Sequence, residues 1–365
     1  MQEKNIKYLV ALSRFPKFGP IRLKKIKKFF PDYKTAFNAK TIDLQKAGIE
    51  KKTAEEFISF KNSVNPSLLI EELKKENIKV LTLEDPEYPK LLSEIYDPPP
   101  LLYYKGEFNK NDEFTIGVVG TRKYSPYGQR VVESIVKDLA VNKITIVSGL
   151  ALGIDALAHN ATLNAGGRTI AVLGTGIDKQ SIYPSSNRYL AEKIISNGGV
   201  VLSEFPLGTP PLKYHFPQRN RIISGLSAGV LIIEAGGKSG ALITARHALE
   251  QNREIFAIPG NIYSNVSIGP NNLIKEGAKA VASAGEILEA LDLTLITSYI
   301  NNKKIIPETP EEKLLLEHLT SDPLYIDELI RLTNLNTSAI NSTLTLMEMK
   351  GMVRNLGNMQ YVLAR

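Results

Sequence analysis

FTIGVVGTRKYSPYGQRVVESIVKDLA, residues 114–140, decides the fold. FTIGVVG (114–120) is a short β-branched apolar run ending in glycine, as a buried strand requires. GTRKYSPYG (120–128) is a loop of turn residues, and YGQRVVESIVKDLA (127–140) spaces its apolar residues as a helix does. The same unit recurs down the chain. ITIVSG (144–149), TIAVLG (169–174), GVVLSEF (199–205), GVLIIEA (229–235) and EIFAIPG (254–260) are further strand candidates, with helical patterns such as ALITARHALEQN (241–252) between them. Continuous apolar strands alternating with helices predict a mostly parallel sheet covered on both faces, a Rossmann-like doubly wound α/β domain over 112–292. In such sheets ligands bind beyond the carboxyl ends of the strands, and the glycines of this sequence collect there.

On the amino-terminal side, residues 1–63 read as an all-helical, SAM-like domain. FPKFGPIRLKKIKKFF (15–30) sets a Gly-Pro turn between two helical patterns, and AGIEKKTAEEFISF (47–60) repeats the scheme. Both resemble helix-hairpin-helix units, whose turn amides can hold a phosphate. Residues 64–111 form the expected linker; LEDPEYPKLLSEIYDPPPLLYYKG (83–106) reads as an extended segment packed on the next domain. On the carboxyl side, 293–310 is the expected tether. Residues 311–365 give three short helices, about 311–319, 325–332 and 337–350, and a hairpin turning at Gly357-Asn358: a winged-helix pattern. Its third helix carries one basic residue, Lys350, which makes it a poor reader of duplex DNA.

The net charge of +7 is unevenly placed. Residues 1–63 hold 15 Lys/Arg against 6 Asp/Glu, residues 311–365 hold 5 against 7, and the middle is balanced at 25 each. A basic excess of this kind favours polyanions, nucleic acid above all. The sequence has no cysteine, so disulfides and thiolate metal sites are excluded. No uncharged apolar run approaches the ~18 residues of a membrane span. The charged start MQEKNIKYLV lacks the apolar region of a signal peptide, so a cytoplasmic protein is expected.

Four loops converge at the predicted ligand edge. GTR offers Gly120, which lets backbone amides approach an anion, and Arg122, which suits a bidentate phosphate contact. SGLALGIDALAH (148–159) and LGTGIDKQSIYP (173–184) place more glycines at strand-to-helix turns. PPLKYHFPQRNRIISGLS (210–227) interleaves cations with aromatics, the combination that binds single strands by charge and stacking. EAGGKSGALITA (234–245) puts Gly237, Lys238, Ser239 and Gly240 at a helix N-terminus, an anion site by geometry. Two nucleotide-binding patterns fail on spacing: the first turn lacks G-x-G-x-x-G, and Ile232 stands where a P-loop needs its first glycine. The four histidines, His159, His215, His247 and His318, show no metal-ligand spacing, and no G-x-S-x-G elbow surrounds Ser148 or Ser239. No metal, cofactor or catalytic residue is expected.

Taken in order between residues 86 and 278, YPKLLSEIYDPPPLLYYKG, VVGTRKYSPYGQ, SGLALGIDALAH, AVLGTGIDKQSIYP, FPQRNRIISGLS, EAGGKSGALITA and IPGNIYSNVSIGPNNLIKEGA resemble the DprA/Smf family. The helical start and winged-helix tail resemble its longer members. The resemblance implies a non-enzymatic protein that binds incoming single-stranded DNA, protects it and loads the RecA recombinase in natural transformation and recombination. It implies a DNA site of Gly120, Thr121, Arg122, Ser148, Gly149, Lys213, Phe216, Arg219, Asn220 and the 237–240 loop. It also implies a homodimer through the later part of the domain, near Ile262, Leu273 and Ile274. Two alternatives stand beside it. A nucleotide phosphoribohydrolase-like enzyme on a related fold would need a P-G-G-x-G-T-x-x-E loop; EAGGKSGALITA lacks its proline and glutamate, with Glu234 and Glu250 nearby. A winged-helix DNA-binding regulator rests on the acidic tail alone.

Overall fold

A computed structural model describes residues 3–109, 112, 114–291, 309–319, 323–333, 335–349, 352–357 and 359–363. It divides into two units, Met1–Ile287 and Leu288–Arg365.

In the first unit the expected strands are β3 (Thr115–Val119), β4 (Thr145–Ser148), β5 (Thr169–Leu173), β6 (Val200–Ser203), β7 (Gly229–Ile232) and β8 (Glu254–Ala257). Every residue of β3 to β7 is buried, which explains why these runs are continuously apolar rather than alternating. With β9 (Lys279–Ala280) they form a parallel array, placing Ile116 of β3 beside Ile146 of β4 and Gly229 of β7. With β1 (Lys79–Thr82) and β2 (Leu101–Gly106), the sheet order is β1-β2-β6-β5-β4-β3-β7-β8-β9. Chain order therefore reverses between β3 and β7, and the loops after those two strands part there and open a crevice.

Residues 64–111 are more than a linker, although the extended segment expected within 83–106 does pack on the next domain, through β2 of its sheet. Asn65 caps a helix, Pro66–Lys75, by accepting from the Ser67 and Leu68 amides. β1 and β2 then add two antiparallel strands to the β6 edge. The prolines 98–100 precede β2 and so remove no ladder donor. The helical segment does not stand apart from the sheet either. Leu9, Leu12, Phe15 and Phe57 belong to one buried cluster with Leu101, Tyr103, Leu173 and Ile194. The hydroxyls of Ser13 and Tyr103 meet at 2.8 Å inside that joint.

The second unit, by itself, is a winged helix. Helices Pro310–His318, Ile326–Thr333 and Thr337–Met349 pack around Leu315, Leu329, Ile340 and Leu344. A three-stranded sheet, β10 (Leu324–Tyr325), β12 (Gln360–Leu363) and β11 (Val353–Gly357), forms the wing. Of the expected tether 293–310, all but Thr309 and Pro310 lies outside the described residues; Thr309 caps the first helix at the Glu312 amide.

Candidate functional site

Past β3, the chain enters a loop locked to its neighbours through the backbone. The Thr121 amide donates to the Glu234 carbonyl at 2.6 Å, and the Ile154 amide donates to the Thr121 carbonyl at 3.1 Å. Two glycines make this closeness feasible. A Cβ on Gly120 would lie 2.6 Å from Ile154 Cγ1, and one on Gly153, at φ +85°, would lie 2.3 Å from the Thr121 oxygen. The result is a rigid lip at the β3–β7 switch point. A cleft of about 640 Å³ opens there, within the range of a ligand site.

Gly120, Arg122, Lys213, Phe216, Arg219, Asn220, Ser239 and Gly240, all singled out from the sequence, line this cleft. Arg122 is exposed, and its guanidinium makes no hydrogen bond or ion pair among the described residues. It lies 6.0 Å from the centre of the Phe216 ring, a cation–π distance. Phe216 is half-buried and faces Tyr183, with ring centres 5.8 Å apart. Lys213 is exposed, and Asn220 donates from Nδ2 to the Gly240 carbonyl at 3.2 Å. Ser239 caps the helix Gly240–Glu250 by accepting from the Ala241 amide at 3.3 Å. The positive end of that helix dipole thus points at the cleft mouth.

Arg219 has a different part from the one expected of it. It is 4 % exposed, and its Nη1 donates to the carbonyls of Gly149, at 2.7 Å, and Val172. Its charge meets Asp155 over Gly149, where an added Cβ would be 2.5 Å from Arg219 Nη2 and 2.6 Å from Asp155 Oδ2. Burial lowers the Arg219 pKa to about 10, with Asp155 opposing the shift, and burial raises Asp155 against the pull of Arg219. Arg219 is a strut under the cleft floor that adds a fixed positive charge.

Of the other expected residues, Gly149 lines a small hollow that shares Arg122, Tyr183, Phe216 and Arg219 with the cleft, while Ser148, Thr121, Gly237 and Lys238 do not line the cleft. Ser148 is fully buried, and its hydroxyl donates to the Val118 carbonyl at 2.6 Å, joining β4 to β3. The Gly149 amide donates to Asp155 at 3.1 Å. Thr121 turns its hydroxyl to its own loop, accepting from the Lys123 amide at 3.2 Å. Gly237 and Lys238 are exposed beside the helix cap rather than lining the cleft. Conversely, the sequence reading passed over Tyr183 and Asp155. Tyr183 stands in the loop after β5 and Asp155 in the first turn of the helix Ile154–Asn164 that follows β4, both at the carboxyl edge, and that position was the available signal.

The titratable groups are occupied structurally. His159 is fully buried, shares a 2.7 Å hydrogen bond with Thr169, and is held neutral by burial with a pKa of about 3. Glu234 accepts from both the amide and the hydroxyl of Ser125. Glu250 sits at the far end of its helix beside His247. Neither carboxylate lines the cleft. Among the described residues no cluster of acidic groups and histidines has the arrangement to hold a metal ion.

Several cations on the basic face of the helical segment are already engaged. Lys17 pairs with Glu56, Arg22 with Glu50 at 3.0 Å, and Lys27 with Glu84, while Lys25 donates to the Gly48 carbonyl. Paired cations of this kind attract a strand less than the count of charges suggests. No described helix is long and apolar enough to cross a membrane.

Residues 79–292 match the family described as DNA recombination-mediator protein A, and residues 303–359 match the DprA winged helix domain. Protein Smf from Synechocystis is 37% identical, over 97% of this chain and 98% of its own length. Among solved structures, DNA processing protein A from Streptococcus pneumoniae is 37% identical with a TM-score of 0.66, over 78% of this chain and 97% of that chain. DNA processing protein A from Helicobacter pylori, described for its single-stranded DNA binding mode, is 31% identical with a TM-score of 0.52, over 58% of this chain and 95% of that chain.

Proposed function

The chain belongs to the DNA recombination-mediator protein A family, DprA/Smf, and from that premise we propose that it holds a single DNA strand in the β3–β7 cleft and passes it to the RecA recombinase, acting by binding alone. The observation that carries this reading is the pairing of exposed, unpartnered Arg122 with the rings of Phe216 and Tyr183 at the switch point. A backbone phosphate needs the cation and a splayed base needs a ring face; the cleft offers both within one side chain's reach. The single-stranded DNA binding of the Helicobacter pylori relative supports the same ligand. A gel shift with single-stranded and duplex DNA of equal length tests it. Retention of the duplex in preference to the single strand would overturn the reading.

Phe216 provides a sharper test. Phe216→Ala is expected to weaken single-strand binding by about 1–3 kcal/mol while leaving the salt slope nearly unchanged, since a stacked ring releases no counterion. The ring also rests on Gly174, whose added Cβ would lie 2.9 Å from Phe216 Cδ1. A variant that mainly loses melting temperature would therefore assign Phe216 to the core instead.

Delivery to a recombinase is read from the mediator role of the family. It requires that the chain speed RecA filament growth on strands already coated by single-strand-binding protein; no acceleration would remove this part. A homodimer is proposed through the face carrying Ile262, 77 % exposed, and Tyr263, 89 % exposed, apolar surface that a lone chain leaves in water. Ile274 is half-buried at that end of the domain, and Leu273 packs partly onto the core. Ile262→Asp should convert a dimer to monomer in sedimentation, and an unchanged mass would place the interface elsewhere.

A further inference from the structure

A second cleft, of about 530 Å³, lies between the helical segment and the sheet. The wall between the two clefts is one stretch of chain, residues 210–221. Pro211, Lys213 and Phe216 line the first cleft, whereas Leu212, Tyr214 and His215 line the second. A ligand lying along this stretch passes from one cleft to the other without leaving the surface.

The second cleft has the chemistry of a base subsite. Tyr214 is 59 % exposed, and its neighbour His215 stacks on Phe205 with ring centres 4.0 Å apart. Burial lowers the His215 pKa, so the ring stays neutral and adds stacking surface rather than charge. Opposite, Arg14 is exposed and makes no ion pair among the described residues, unlike Lys17, Arg22 and Lys27. At the floor, Arg221 is 7 % exposed; it pairs with Asp97 at 3.1 Å and with Glu204, yet its Nη1 is buried without a partner. His215 Nδ1 is buried with no close hydrogen bond, although the carbonyls of Pro210 and Gly174 lie near enough to its ring to raise the pKa against burial, so Arg221 Nη1 is the clearer orphan. An unpartnered buried donor beside the cleft calls for a ligand with hydrogen-bonding edges. The carboxylates of Asp97 and Glu204 disfavour a phosphate at that depth and suit the amino groups of a base.

We propose that the bound single strand continues over the 210–214 wall into this second cleft, where Tyr214 and Phe205 stack a further base and Arg14 meets a phosphate. This extension rests on the reading of the first cleft given above. It makes the helical segment part of the DNA site through one unpaired arginine rather than through its hairpin turns.

Binding of two oligonucleotides tests the path, one of about 6 nucleotides that fills a single cleft and one of about 12, both within the usual single-strand site sizes. Tyr214→Ala and Arg14→Ala are expected to weaken the longer strand by roughly 5- to 50-fold and to leave the shorter within about twofold. Arg122→Ala should weaken both lengths. Equal losses on both lengths, or none on the longer, would overturn the second subsite while leaving the first cleft standing. A silent Arg122→Ala would refute the first cleft instead. Free deoxynucleoside monophosphates are titrated alongside. Tyr214-dependent binding of a mononucleotide as tight as that of the longer strand would make this a nucleotide pocket and overturn the strand path. Circular dichroism of each variant shows that its fold is intact.

Discussion

Replacing Arg219 with methionine is expected to lower stability by about 3–5 kcal/mol, the cost of removing one member of a buried charge pair. The side chain is 4 % exposed, and its Nη1 satisfies carbonyls from two different segments, Gly149 in the turn after β4 and Val172 within β5. Methionine fills comparable space but leaves both carbonyls and Asp155 without their cation. Asp155, already raised by burial, then takes up a proton rather than remain a bare anion. Asp155→Asn in the same chain should therefore recover part of the loss, because the pair contributes through its mutual satisfaction more than through its charge. For a domain of this size the drop corresponds to roughly 6–20 °C in melting temperature. Scanning calorimetry of wild type, both single variants and the double variant checks this. A variant that keeps its melting temperature and loses only DNA affinity would return Arg219 to the list of direct ligands.

The six central strands and the ligand edge were legible in the sequence because each strand is a short, mostly apolar run, fully buried in β3 to β7, closed by a turn. β1 and β2 were not. KVLT and LLYYKG flank a proline-rich stretch, and β2 pairs with β6, about a hundred residues onward, so nothing local announces the ladder. The site divides along the same line. Arg122, Lys213 and Phe216 project from loops, where residue type and position at a strand end suffice to place them. Ser148 and Arg219 have the right chemistry at the right edge, but their hydroxyl and guanidinium turn inward to carbonyls of neighbouring strands, contacts set by tertiary packing. The lysine-rich helix misleads for a related reason. The glutamates that pair with Arg22 and Lys17 come from about thirty and about forty residues further on, and Glu84, which pairs with Lys27, from farther still.

That quenching decides the last expectation. Arg122→Ala should weaken single-strand binding by about 1.5–3 kcal/mol, tenfold or more, whereas Lys24→Ala, on the exposed face of the helix Pro20–Phe29, should change it little. Arg122 is fixed at the base of a loop whose backbone is hydrogen-bonded on both sides, so little ordering is needed when a phosphate arrives. Its guanidinium has no competing carboxylate among the described residues, and the partly buried Phe216 ring reduces its screening by water. Lys24 sits among cations already engaged by Glu50, Glu56 and Glu84, and in solvent a single unpaired lysine contributes weakly. The two sites should differ in salt dependence as well. Loss of Arg122 should lower the slope of log affinity against log salt by about 0.7, the value for one phosphate on a single strand. Titrations at several ionic strengths around 0.15 M, about the physiological value, measure both quantities together. Equal losses at Arg122 and Lys24, with equal changes of slope, would move the strand from the sheet edge to the helical segment.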